Sequence, residues 1–262
     1  MMLPVNTGGI FFANPFMNTV LCYDVGRSPY LETWNLQKAI QGEIVAHKLA
    51  VRNGTTNKPL PHDVLLFVEH PHVYTLGKSG SETHLLKSDT ELEAIDATYV
   101  KVDRGGDITY HGPGQIVGYP IMDLDRYFTD IHKYLRYLEE VMIRTCADYG
   151  ITAARIEKMT GVWVGDSKIC AFGIKCTRWV TLHGFALNVN AHLDYFSSIV
   201  PCGIRGKQVC SISSLLGRPV DEVEVKERVC LHFEELFGVK IEFQTDSRLA
   251  LFEKYGVNAG VV

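Results

Sequence analysis

The 262-residue sequence contains no apolar run of the roughly 20 residues that a bilayer-crossing helix needs, which argues against a spanning helix. Its N-terminal stretch, MMLPVNTGGIFFANPFMNTV, lacks both a basic start and a small-residue cleavage pattern, so a signal peptide is not expected either. Blocks of like charge are also missing. The 26 basic and 30 acidic residues are interspersed and give a net charge of −4, which offers no footprint for nucleic acid or an anionic membrane. No CxxC pair occurs. The cysteines Cys22, Cys146, Cys170, Cys176, Cys202, Cys210 and Cys230 are odd in number and irregularly spaced, which argues against a disulfide framework and against structural zinc. Reduced thiols in a cytoplasmic protein are the expectation.

A hydrophobic content of 46% over this length can build one substantial core. The expected organisation is a leader over residues 1–19, free to be flexible, and a single domain over 20–262. TVLCYDV reads as a strand. SPYLETWNLQKAIQGEIVAHKLAVRNG reads as a helix with Ser28 as N-cap, Pro29 in the first turn, and Leu31, Trp34, Ile40, Ile44 and Leu49 as its apolar stripe. DVLLFVEH reads as a buried strand, TYVKVDR as an alternating strand and QIVGYPIMDL as a further strand. Asp130 can cap the helix IHKYLRYLEEVMIRTCADYG, which Gly150 ends. From Gly161 to Asn190 apolar and polar residues alternate around breaks at GDS and CTRW, the pattern of a strand meander in which Lys168 begins the middle strand. VDEVEVKERVCLHFEELFG, VKIEFQ and SRLALFEKYG then read as helix, strand and helix. The whole is an α/β (α+β) chain with a mixed, predominantly antiparallel sheet.

Two segments invite a chemical reading. RGGDITYHGPGQ, Arg104 to Gln115, is rich in backbone and poor in side chains, which suits either an ordinary loop or a wall that lies close to a ligand. VPCGI places Cys202 between Pro201 and Gly203, a rigid turn where a thiolate and a neighbouring amide could act together. Its possible activators are His111, His183, Lys168 and Lys175, and spacing alone does not choose among them. Arg178, Arg205 and Lys207 lie near these motifs and are candidates for a basic rim.

RGGDITYHGPGQIVGYPIMDL, taken with EHPHVYTLG, GVWVGDSKICAFGIK, TLHGFALNVN and IVPCGI, resembles the lipoyl(octanoyl) transferase family over roughly Leu65 to Leu216. The resemblance implies a fold shared with biotin and lipoate protein ligases. It also implies transfer of an octanoyl group from octanoyl-acyl carrier protein to lipoyl domains of 2-oxoacid dehydrogenase subunits and to glycine cleavage H protein, in lipoate biosynthesis. The family's nucleophile falls on Cys202 and its lysine on Lys168. Its substrate contacts fall on Arg104, Gly105, Gly106, Asp107, Ile108, Thr109, Tyr110 and His111, on Ala171, Phe172 and Gly173, and on Gly184, Phe185 and Ala186. Neither metal nor other cofactor is implied, because a thioester donor is already activated. Departures from the family are a longer leader and the extra thiols Cys170, Cys176 and Cys210. An ATP-dependent ligase on the same fold, a non-catalytic carrier-binding scaffold and a thioesterase are the rival readings.

Overall fold

The computed structural model describes residues 18–200 and 208–260. In β1 (Asn18–Arg27), Val20 and Cys22 join one apolar cluster while Tyr23 and Val25 join another. β2 (Asp63–Glu69) divides the same way, with Leu65 and Phe67 on one side and Val64, Leu66 and Val68 on the other. Alternate side chains of a strand face opposite ways, so the unbroken apolar run VLLFV is what a strand covered on both faces requires. α1 (Tyr30–Arg52) crosses between these strands, which pair in parallel. The leader expected over residues 1–19 lies outside the described residues except for Asn18 and Thr19, which already belong to β1.

β3 (Val73–Leu76), the short α2 (Asp89–Glu93), β4 (Thr98–Lys101) and β5 (Ile108–His111) follow, the strands forming a small separate sheet in the order β4-β3-β5. Part of the glycine-rich stretch is therefore strand rather than loop. β6 (Gln115–Ile121) returns to the main sheet, α3 (Ile131–Asp148) packs beside it, and the meander expected after Gly161 is present. It comprises β7 (Ala154–Ile156), β8 (Met159–Val164), β9 (Ser167–Thr177) and β10 (Val180–Asn188). β11 (Gln208–Val209), α4 (Ile212–Leu216), α5 (Glu222–Phe237), β12 (Val239–Phe243) and α6 (Arg248–Lys254) end the described chain. The main sheet runs β12-β1-β2-β6-β10-β9-β8-β7, with β11 added to β9. Pairing is antiparallel from β2 through to β7 and parallel for β12–β1–β2 and β11–β9. This is the mixed, largely antiparallel sheet with flanking helices that the sequence led us to expect.

α3 and α5 cover one face, and α1 with α6 covers the other. Asp130 caps α3 as expected, its carboxylate accepting the His132 and Lys133 N–H groups at 2.9 Å each. The start of α1 differs from expectation. Pro29 holds the N-cap position, and Ser28 instead belongs to the sheet margin, its N–H donating to the Glu69 carbonyl and its own carbonyl bonded to His70. The buried face of α1 also includes Gln37 and Gln41, while Leu31 remains 50% exposed. The helix is rotated so that these amides meet the backbone of β10: Gln41 Nε2 donates to the Val180 carbonyl at 2.9 Å, and Gln37 Oε1 accepts the His183 N–H at 3.0 Å. Satisfying a buried peptide group outweighed burying one more leucine. No helix among the described residues is long and apolar enough to cross a membrane.

Gly118 of β6 pairs with Phe185 of β10, and the phenyl ring folds over it so closely that a Cβ on Gly118 would lie 2.1 Å from the ring. Gly118→Ala is therefore expected to destabilise the protein by about 1–3 kcal/mol through overpacking. Urea denaturation of the variant against wild type, read as a lower midpoint at unchanged slope, checks this.

Candidate functional site

A cavity of about 360 Å³ opens between β9, β10 and the segment from Arg104 to His111. This is within the range of a small-molecule pocket. Arg104, Gly106, Asp107, Ile108, Thr109 and His111 form one wall, and Lys168, Ala171, Phe172 and Gly173 of β9 form a second. Gly184, Phe185 and Ala186 of β10 complete the set, so the structure brings together nearly all the residues singled out in the three motifs. Antiparallel pairing explains the meeting, since Gly184 lies opposite Gly173, Phe185 opposite Phe172 and Ala186 opposite Ala171.

Two of the singled-out residues do not line the cavity. Gly105 works by its backbone, its N–H donating to the Ile174 carbonyl at 3.0 Å and so stitching the wall to β9. Tyr110 is turned by strand alternation away from Thr109 and His111. Its hydroxyl bonds to His72 Nδ1 at 2.7 Å and its ring stacks on Tyr195, inside the small core beneath β5. Cys202, Arg205 and Lys207 lie outside the described residues. Arg178 is exposed at the β9–β10 turn, the end of β9 opposite to Lys168.

Arg104 gives the wall its shape. Its Nη2 donates to both the carbonyl and the hydroxyl of Thr75, at 2.5 and 2.9 Å, and its stem lies flat on Gly173, where a Cβ would come within 2.6 Å of Arg104 Cδ. Glycine at that position permits the contact.

The four candidate activators fall into different environments. Lys175 does not line the cavity; its ammonium pairs with Asp103 at 2.6 Å. The other Asp103 oxygen accepts from His183 Nε2 at 2.7 Å. Burial draws the Asp103 carboxyl upward, but the hydrogen bonds from Lys175 and His183 outweigh it and hold it below its usual value. His183 is buried, and desolvation pushes it down to about 4 despite that carboxylate. His111 is likewise driven well below its usual value, first by burial and then by its neighbour His70, with Nδ1 bonded to Gln115 Oε1 at 2.9 Å. Both ring systems are neutral at physiological pH. Lys168 stands elsewhere, at the start of β9, with its ammonium 4.7 Å from the centre of the Trp163 ring. His183 lies opposite Ile174, about 20 Å along the strand from Lys168 at roughly 3.3 Å per residue.

Burial raises the described thiols near the cavity: Cys170 well above its ordinary value, Cys210 to about 11, and Cys176 in the same direction. These are small packed groups rather than thiolates. Among the described residues no group of three or more His, Cys, Asp or Glu side chains is arranged to hold a metal ion.

Tyr30, Val117, Tyr119, Lys158, Met159, Thr160 and Trp163 also line the cavity and were not singled out from the sequence. Alternation in QIVGYPI could have placed Val117 and Tyr119 on one face. Tyr30 had no local signal, because its position follows from how α1 docks on β10.

Comparison with known proteins bears on the family and the fold. The lipoyl protein ligase A/B catalytic domain family matches residues 29–234. An octanoyltransferase of Flavobacterium psychrophilum is 53% identical over 229 residues, spanning 85% of this chain and 98% of that protein. Another, of Christiangramia forsetii, is 54% identical over 227 residues, spanning 84% and 97%. In fold, the chain is similar to a putative lipoate protein ligase from T. acidophilum solved with bound lipoic acid, with TM-score 0.68, 16% identity, and 92% and 97% of the two chains covered.

The buried histidines make stability pH-dependent. His183 binds its proton only near pH 4 when folded but near 6.5 when unfolded, so the unfolded chain carries the extra proton between those values. Its contribution is fully present above about pH 6.5 and is lost as the pH falls toward 4, worth up to about 3 kcal/mol. His183→Asn, which tolerates the left-handed backbone at φ +61, should flatten the loss of stability between pH 7 and 5, measured by urea denaturation across that range.

Proposed function

Because this chain belongs to the lipoyl protein ligase A/B catalytic domain family, we propose that it moves an octanoyl group from octanoyl-acyl carrier protein to the target lysine of lipoyl domains through a thioester on Cys202. The protein is an acyltransferase of the octanoyltransferase kind, acting in lipoate biosynthesis. The observation that carries the finer reading is a cavity with Phe172, Phe185, Val117 and Ile108 in its walls and two lysines in its lining, Lys158 just before β8 and Lys168 at the beginning of β9, of which Lys168 is the one that falls on the family's lysine. An apolar acyl chain suits such walls, and a cation at one end suits the reacting thioester. Gln208 and Val209, which follow Cys202 in the sequence, pair directly with Ser167 and Lys168, which supports the same reading.

In the first half-reaction the Cys202 thiolate attacks the thioester carbonyl carbon, the bond to the carrier's sulfur breaks, and the departing thiolate takes a proton from Lys168 Nζ. A lysine ammonium beside the cysteine also favours its thiolate form. In the second, the amine of the acceptor lysine attacks the Cys202 acyl carbon, gives a proton to Lys168, and Cys202 leaves as thiolate. Lys168 thus returns to its starting state, and no external oxidant, metal or nucleotide enters the balance. Acceptors of this chemistry are the lipoyl domains of 2-oxoacid dehydrogenase subunits and glycine cleavage H protein. The neutral, hydrogen-bonded state of His111 and His183 favours Lys168 over either histidine as proton carrier.

Intact-protein mass after incubation with octanoyl-acyl carrier protein tests the reading. Wild type should gain one octanoyl group, lose it to an apo lipoyl domain, and gain nothing as Cys202→Ala. Lys168→Met should slow both steps by about 100-fold or more, and Lys168→Arg should retain more of acylation than of transfer. An adduct that requires free octanoate and ATP would replace this function with that of an adenylating ligase.

A further inference from the structure

Glu139 lies on the inner face of α3 with its side chain fully buried, among Tyr134, Leu138, Val141 and Met142. A carboxylate there requires compensation, and it has partners on both oxygens. Oε2 accepts from Arg155 Nε at 3.0 Å and lies 2.9 Å from Arg136 Nη1, while Oε1 accepts the Gly161 N–H at 3.2 Å. Arg155 Nη2 also donates to the Arg136 carbonyl at 2.8 Å and to Glu140 Oε2 at 2.9 Å. Through these bonds α3 grips β7 at Arg155 and β8 at Gly161. For stability alone, buried ion pairs are commonly no better than well-packed apolar residues, so the arrangement calls for a geometric reason.

That reason lies on the other side of Gly161. With φ at +137, its backbone backs onto the site so closely that a Cβ would lie 3.1 Å from each of Lys168 Cε, Trp163 Nε1 and the Cys170 carbonyl oxygen. The β8–β9 register also shifts between Val162 and Trp163, pairing Trp163 directly with Lys168. A shift of this kind bends a strand and re-aims its side chains. We infer that Glu139 is a positioning residue: by holding Gly161, it seats the last methylene and ammonium of Lys168 against Trp163. The inference rests on Lys168 being the proton carrier of the proposed reaction.

NMR of the full chain labelled with 13Cε-lysine tests it, the Lys168 signal being the one lost in Lys168→Arg. In wild type the Lys168 ε-protons should be moved upfield by the Trp163 ring. Glu139→Gln, which keeps an acceptor oxygen for the Gly161 N–H, should preserve that shift. Glu139→Leu, checked as folded by near-ultraviolet circular dichroism, should move the signal to the position of solvent-exposed lysines and slow acylation about tenfold or more at unchanged donor KM. Gly161→Ala presses on Lys168 Cε without touching the ion pairs of α3 and should displace the same signal, which keeps the test decisive if the leucine variant does not fold. A wild-type Lys168 signal in folded Glu139→Leu, or in Gly161→Ala, overturns the inference. A displaced signal with wild-type acylation would instead overturn the assignment of Lys168 in the reaction, leaving the tether itself in place.

Discussion

All nine residues of β10 are buried, yet the strand carries Thr181, His183 and Asn188. A buried polar group without a partner costs about 1–3 kcal/mol, so every element around β10 is constrained to supply one. β6 and the turn after it answer Thr181, whose hydroxyl donates to the Pro120 carbonyl and accepts the Met122 N–H, each at 2.8 Å. The residue before the glycine-rich wall, Asp103, answers His183. Asn188 is held between Gln115 Nε2 and the Cys210 carbonyl, at 2.8 and 3.0 Å. α1 contributes Gln37 and Gln41. The cavity is bounded by the same elements, so its walls are registered to one another through β10.

This constraint separates two kinds of basic residue. Histidines inside the polar framework lose their charge to burial and are committed to fixed partners, which makes them builders of the wall. Lys175 is likewise committed, to Asp103. Lys168 lies toward the other end of β9, with its ammonium over the Trp163 ring.

The glycine-rich stretch that first drew notice combines both of the uses it suggested. Ile108–His111 is a strand of the small sheet, and Arg104 to Asp107 turns back across β9 with the Gly105 N–H bonded to the Ile174 carbonyl. Bare backbone lets this wall lie directly on β9, with Arg104 stretched over Gly173. The small sheet beneath it is filled by Tyr74, Tyr110 and Tyr195, which is why Tyr110 serves the wall from behind rather than from within the cavity.

What the sequence determined by itself was local geometry and the motifs that run along it. Asp130 as a cap, VLLFV as a buried strand and the meander after Gly161 were legible because each depends on neighbours within a turn or a strand, whereas the residues at 104–111, 171–173 and 184–186 were marked only by the resemblance of their motifs to a known family. The tertiary structure decided what depends on distant residues meeting. Which face of α1 is buried was settled by peptide groups of β10 that needed Gln37 and Gln41, against an apolar stripe that would have buried Leu31. The neutrality of His111 and His183, the tie of Lys175 to Asp103 some 70 residues away, and the grip of Glu139 on Gly161 follow from burial and from charges brought side by side by sheet pairing. No sequence pattern encodes these, because desolvation and Coulomb energy act through space and not along the chain.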